Sequence, residues 1–259
     1  MKFKILGPLT LIAGDTEATP HSVKLRTIAA LLTVNFGRVV STDQLVDALW
    51  PEGPPRTASA ALQVYVSKLR KHFETVADDS SFLVTRPPGY LLSLEGHTLD
   101  LQDFDALTDR ARAAIEAGHL REALELLTEA SALWDGPVLA DLRGSPAFDS
   151  IARQLEERRL FAYEQRFDLE LLLGRQRWIV GELYGLIAEY PTWEPVNWYL
   201  MVALYRSGRV SEALEVYTEM RNAFVGQLGM EPSQRIRQLH TAILSRDPWL
   251  DDPSLKYVA

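Results

Sequence analysis

Residues 57–73 read TASAALQVYVSKLRKHF, and this stretch decides how the first third of the chain is built. Its apolar residues Leu62, Val66, Leu69 and Phe73 recur at intervals of four, three and four. That spacing predicts one buried stripe along an α-helix. The other side shows Ala60, Gln63, Val64, Ser67, Lys68, Arg70 and Lys71. No acidic residue lies between Glu52 and Glu74, whereas Arg56, Lys68, Arg70 and Lys71 all fall in that run. In a chain of formal charge −8, a face kept free of carboxylates is expected to meet something anionic. The competing reading is a solvated face whose basic residues complement the helix macrodipole.

The flanks favour the first reading. KFKILGPLTLIA at 2–13 mixes alternation with a Gly7-Pro8 break, which predicts short antiparallel strands. From Val23 the period changes: Leu25, Ile28, Ala29, Leu31, Leu32 and Phe36 mark an amphipathic helix closed by Gly37. Ser41-Thr42-Asp43-Gln44 offers a capping box, and the helix that follows carries Leu45, Val46, Ala48 and Leu49 before Pro51. A Gly53-Pro54-Pro55 turn leads to the quoted helix, with Thr57 as its expected N-cap. FLVTRPPGYLLSL at 82–94 then predicts two strands around Pro87-Pro88-Gly89, with Arg86 near the tip. Strands, three helices and a hairpin are the order of a winged helix-turn-helix. In such a fold small residues and Gln63 approach base edges, cations at the helix end meet phosphates, and Arg86 reaches the adjacent minor groove.

Bulk properties narrow the remainder. At 259 residues, with 47% hydrophobic and 24% charged residues, the chain is long enough for two packed domains. It has no cysteine, which excludes disulfides, thiolate metal sites and thiol catalysis. The N-terminus is neither a signal peptide nor a membrane span, and no later run approaches the ~18 apolar residues of one, so a soluble, cytoplasmic protein is expected. Residues 1–96 hold ten Lys/Arg against nine Asp/Glu, a net +1; the other 163 residues hold 17 against 26, a net −9.

From Asp100 onward the pattern is helical and repeats. GHLREALELLTEA at 118–130 and GRVSEALEVYTEM at 208–220 nearly match, LGRQRWIVGELYGLIAEYP at 173–191 looks alike, and Gly174 and Gly208 are 34 residues apart. That is the tetratricopeptide period, in which a small residue is expected where paired helices cross closely. Ala123, Leu124, Leu126, Leu127, Ala213, Leu214 and Val216 are predicted core. Tyr190-Pro191 marks a break before the next first helix, WYLMVALYRSG, and Trp193 and Trp198 beside it are candidate partner-facing residues. Catalytic and cofactor motifs are missing. There is no phosphate loop, GxGxxG or GxSxG, the five histidines are scattered, and Glu156-Glu157 and Asp251-Asp252 read as solvated faces. No catalytic residue, metal or cofactor is expected.

These motifs carry a resemblance. FKILGPL, VVSTDQLVDALWP, ALQVYVSKLRKHF and VTRPPGYLL resemble the DNA-binding domain of the Streptomyces antibiotic regulatory proteins, a relative of the OmpR-type winged helix. ALWDGPVLADL, LEERRLFAYEQRFDLELLLGR, LMVALYRSGRVSEALEVY and QLGMEPSQRIRQLHTAIL resemble the bacterial transcriptional activation domain of the same family. The match runs from about Lys2 to Leu250. The expected architecture is an α+β winged helix at 1–96, an all-α tetratricopeptide-like domain at 97–250 and a tail at 251–259. No receiver, sensor or nucleotide-binding domain is expected with them. The resemblance implies a transcriptional activator that binds direct repeats near a promoter −35 element as a homodimer. It further implies recruitment of RNA polymerase holoenzyme through its sigma factor, commonly at antibiotic or secondary-metabolite gene clusters. Groove-facing positions carry over to Ala60, Gln63, Val64, Ser67, Lys68 and Arg70, with Arg86 on the wing; Arg56, Thr57 and Lys71 complete the expected DNA face. The alternative is a helical-repeat interaction scaffold whose winged helix reads no DNA.

Overall fold

A computed structural model describes residues 1–93 and 95–257, and packing divides it into two compact units. One comprises Met1–His119 with Glu125–Leu160, the other Leu120–Leu124 with Phe161–Ala259. Leu94, the last residue of the second predicted wing strand, and Val258–Ala259 at the end of the tail lie outside the described residues.

The first unit opens with β1 (Lys2–Lys4), β2 (Thr10–Ala13) and β3 (Thr16–Glu17), joined antiparallel as the Gly7-Pro8 break predicts. Sequence did not reveal β7 (Thr98–Leu99), which pairs parallel to β1 and completes a sheet of order β3-β2-β1-β7. Three helices follow β3. They are α1 (Val23–Val34), α2 (Thr42–Leu49) and α3 (Ala58–Ala77). Leu62, Val66, Leu69 and Phe73 of α3 are each at most 1% exposed, so the predicted stripe is core. The capping box at α2 is present: Gln44 N–H donates to Ser41 Oγ at 3.1 Å, and Gln44 Oε1 accepts from Ser41 N–H at 2.9 Å. Thr57 occupies the cap position of α3, but its hydroxyl caps nothing. Its φ/ψ of −96°/12° departs from the extended backbone that aims a capping oxygen at the first turn.

A second sheet has the order β4-β6-β5, built from β4 (Val40–Ser41), β5 (Leu83–Arg86) and β6 (Gly89–Leu92). The β5–β6 hairpin turns at Pro87-Pro88, so the winged helix-turn-helix order is complete. The unit continues into α4 (Asp100–Glu116), most of α5 (Leu120–Ala132) and the first half of α6 (Pro146–Leu172). The segment Leu6–Leu9 is bound into this helical part. Asp135 N–H donates to Leu6 O at 2.8 Å, Leu139 N–H to Gly7 O at 2.7 Å, and Leu9 N–H to Asp141 Oδ1 at 3.0 Å. The packing unit therefore extends beyond the winged helix itself. Glu156, expected on a solvated face, is half-buried: it accepts from Val138 N–H at 3.1 Å and stands 3.6 Å from Arg159. Backbone donors and guanidinium groups offset the burial of that carboxylate.

The second unit is helical, with the rest of α6, then α7 (Gln176–Glu189), α8 (Glu194–Arg206), α9 (Val210–Leu228) and α10 (Gln234–Ser245). Every residue of α8 from Pro195 to Leu204 is buried, as befits a helix that is apolar on most faces. Trp198, expected to face a partner, is 2% exposed and packs edge-on to Tyr199 at 5.2 Å. Trp193 is half-buried against the same core. The most exposed aromatic residue among those described is Trp178, at 79%, with the Arg175 guanidinium 5.6 Å from its ring centre. Of the predicted core residues, Leu214 is half-buried and the others are buried. Gly118, Gly174 and Gly208 precede α5, α7 and α9 with φ of +77°, +71° and +80°. A Cβ at any of them would meet nothing within 4 Å. Positive φ, rather than a close helix crossing, requires glycine there.

Candidate nucleic-acid interface

The sequence-predicted DNA face resolves into an exposed helix side and a fixed wing. On α3, Ala60, Gln63, Val64, Ser67, Lys68 and Lys71 are exposed, as are Arg56 and Thr57 just before it. Val64 is 52% exposed, unusual for a large apolar side chain. No carboxylate occurs on the helix before Glu74. Tyr65, between Val64 and Val66, leans back on Trp50 with ring centroids 6.3 Å apart and leaves the exposed face to its neighbours.

Arg70 behaves differently from the lysines beside it. It is half-buried, and its guanidinium points to the wing. Nε and one terminal nitrogen donate to Leu83 O at 3.1 and 2.9 Å, and that nitrogen also donates to Thr85 Oγ1 at 2.7 Å. The guanidinium carbon lies 5.9 Å from the centre of the Tyr90 ring. A rigid planar fork with several donors is pre-organised to bridge a helix to a strand in this way. Arg86 sits at the end of β5, paired with Gly89 across the hairpin, and is exposed.

Two further contacts hold the wing, and neither was legible in the sequence. Thr42, the first residue of α2, donates its N–H and hydroxyl to Pro88 O at 3.1 and 3.0 Å. Gly89 lies so close to β4 that a Cβ there would stand 1.9 Å from Val40 O and 2.7 Å from the Ser41 Cα. The wing is thereby registered to both α2 and α3. A glycine after two prolines hinted at a turn, but the close approach needed the paired strand.

Among the described residues no cluster of His, Asp and Glu is arranged to hold a metal, and no helix is long and apolar enough to cross a membrane.

Comparison with known proteins identifies the architecture. Residues 16–92 match the family model described as transcriptional regulatory protein, C terminal, and residues 99–244 match the bacterial transcriptional activator domain. The chain is 36% identical to the regulatory protein DnrI of Streptomyces peucetius, covering 97% of this chain and 94% of that one. It is 34% identical to the transcriptional regulator RedD of Streptomyces coelicolor, covering 98% and 73%. The solved structure of Mycobacterium tuberculosis EmbR, in complex with a low affinity phosphopeptide, superposes with a TM-score of 0.84 at 34% identity. That match covers 98% of this chain and 68% of that one. With a DNA-binding winged helix, an activator domain and relatives across nearly its whole length, the chain belongs to the Streptomyces antibiotic regulatory protein family of transcriptional activators.

Proposed function

We propose that residues 1–96 bind promoter DNA in a sequence-specific manner, that residues 97–250 act as the activation domain, and that 251–259 are a tail. The observation that carries this reading is the exposed, acid-free side of α3 beside a wing that Arg70 bolts in place. In the major groove Ala60, Gln63 and Val64 meet base edges, with Val64 suited to a thymine methyl and Gln63 to adenine. Arg56, Thr57, Ser67, Lys68 and Lys71 meet phosphates, and Arg86 enters the minor groove from the wing. Arg70 acts as a positioning residue that sets the distance between helix and wing. No catalysis, cofactor or metal enters this reading. The place of action is the nucleoid, and the targets are antibiotic or other secondary-metabolite genes.

One recognition helix reads about four base pairs, a sequence that recurs about every 256 positions, so one protomer selects too little. Two protomers on direct repeats about 10–11 bp apart supply the missing discrimination. A footprint on tandem and single half-sites tests this: the tandem site is expected to bind at least about tenfold tighter. Equal binding would refute the homodimer. The helical half, with its net charge of −9, is repelled by DNA and meets RNA polymerase holoenzyme through a basic surface of the sigma factor.

Two substitutions separate reading from gripping. Gln63→Ala is expected to change the preferred base by about 1–3 kcal/mol, measured by competition among single-base operator variants. Lys71→Ala is expected to weaken all DNA alike and flatten the plot of log affinity against log salt by about one unit. An unchanged base preference in Gln63→Ala would mean that another side of α3 enters the groove. Failure of the intact chain to retard promoter DNA at all would favour the scaffold reading.

A further inference from the structure

The acidic half carries a groove that the DNA reading leaves unused. Helix α8 forms its floor, and α7 and α9 form its walls. At its centre is a cavity of about 190 Å³. Ile187, Val216, Met220 and Ala223 give it an apolar lining, and Asn197 and Glu219 supply polar groups. Asn197 is 2% exposed. Its Nδ2 donates to Trp193 O at 3.3 Å, and among the described residues no donor meets its Oδ1. Asn197 lines the cavity, which leaves its amide oxygen free to accept a donor that enters there.

The rim is negative. Glu215 and Glu219 lie one turn apart on α9, both exposed, with no cation paired to either among the described residues. Glu212, one turn earlier, is already held by Arg209 at 2.7 and 2.5 Å. Across the groove Tyr184 is 40% exposed. Partial burial pushes its hydroxyl above the ordinary phenol range; the Glu212 carboxylate pushes it further, Arg209 pulls it back, and Glu219 and Glu215 add to the rise.

We propose that this groove docks a cationic peptide segment of a protein partner, with one apolar side chain seated in the cavity beside Asn197. The volume decides against a small-molecule effector, because such pockets measure about 300–1,000 Å³. The unpaired glutamates decide against nucleic acid and select Lys or Arg on either side of the anchor. Asn197 Oδ1 accepts a backbone N–H of the incoming segment. The inference rests on the reading of the helical half as the polymerase-contacting part, and it gives that contact a place.

Panning a displayed library of random short peptides against the full chain tests the proposal. The selected sequences are expected to share one Leu, Ile, Met or Phe flanked by Lys or Arg. Ala223→Phe, which fills the cavity without changing charge, is expected to weaken them about tenfold or more, and the Glu215→Gln/Glu219→Gln double substitution about tenfold at low salt. Both variants must keep the parent's far-ultraviolet circular dichroism and thermal unfolding profile, which shows that the helical half still folds. Selection of no such pattern, or equal binding to Ala223→Phe, would overturn the groove. So would loss of self-association in Ala223→Phe, because the occupant would then be a second copy of this chain. If the peptides behave as expected but Ala223→Phe still activates transcription in vitro, the groove stands and its assignment to polymerase falls.

Discussion

Gly89→Ala is expected to abolish promoter binding while leaving the second helical unit folded. A Cβ at this position would stand 1.9 Å from Val40 O and 2.8 Å from the Val40 carbonyl carbon, both backbone atoms of the neighbouring strand. No rotamer change relieves such an overlap; β4 and β6 must separate. The pairs Val40–Tyr90 and Ser41–Gly89 would then open, and Pro88 O would leave Thr42. A loss on the order of 3–5 kcal/mol is the expected scale for a forced break in a packed sheet. With the wing displaced from α3, affinity for promoter DNA should fall by about a hundredfold or more. Thermal unfolding followed by circular dichroism, run beside a mobility-shift titration, checks both parts. Binding within twofold of the parent would mean that the wing contributes little to recognition.

The second large effect is expected at Asp100, the first residue of α4, directly after β7. Its carboxylate accepts N–H bonds from Ile5 at 3.0 and 2.9 Å, from Leu6 at 3.0 Å and from Leu101 at 2.8 Å. The side chain thus ties the end of β1 to the start of the first activation-domain helix. Asp100→Ala strands two buried backbone donors, each costing about 1–3 kcal/mol, and leaves a small cavity. A total on the order of 3–5 kcal/mol is expected, seen as an earlier denaturant midpoint for the first unit. Asp100→Asn should not rescue it, because one end of the amide then sets a donor against a donor. Burial raises this carboxyl above its ordinary value even though the N–H bonds pull it down. A raised folded-state value means that the folded protein holds the proton more tightly. Its contribution to stability is therefore full below the unfolded value and declines as pH rises through the folded one. Acid unfolding must be driven by other groups. An unaltered midpoint in Asp100→Ala would show that the tie is redundant with the contacts of Leu6–Leu9.

These two residues also mark where sequence reading stopped. The stripe of Leu62, Val66, Leu69 and Phe73, the Ser41–Gln44 box and the hairpin around Pro87-Pro88 were legible, because each depends on residues within about one helical turn or one hairpin. The face of Gln63, Val64, Ser67 and Lys68 followed from the same periodicity, since burying one side of a helix leaves the opposite side to solvent. Arg70 shares that spacing and reads as one more phosphate-facing cation, yet its guanidinium turns to Leu83 and Thr85. Period alone does not distinguish a cation facing solvent from one that finds acceptors on a strand thirteen residues away. Trp198 differs for a related reason. Its position at a break suggests exposure, whereas the burial of α8 on nearly all sides is a property of its neighbours.

Local order in this protein, the helices and their capped ends and the tip of the wing, was written in short-range patterns of polarity and backbone preference. Folding alone brought Gly89 against Val40, Arg70 against the wing and Asp100 against Ile5 and Leu6. Those contacts join residues between 13 and 95 positions apart. Their energy depends on where the chain returns in space, which no local pattern records.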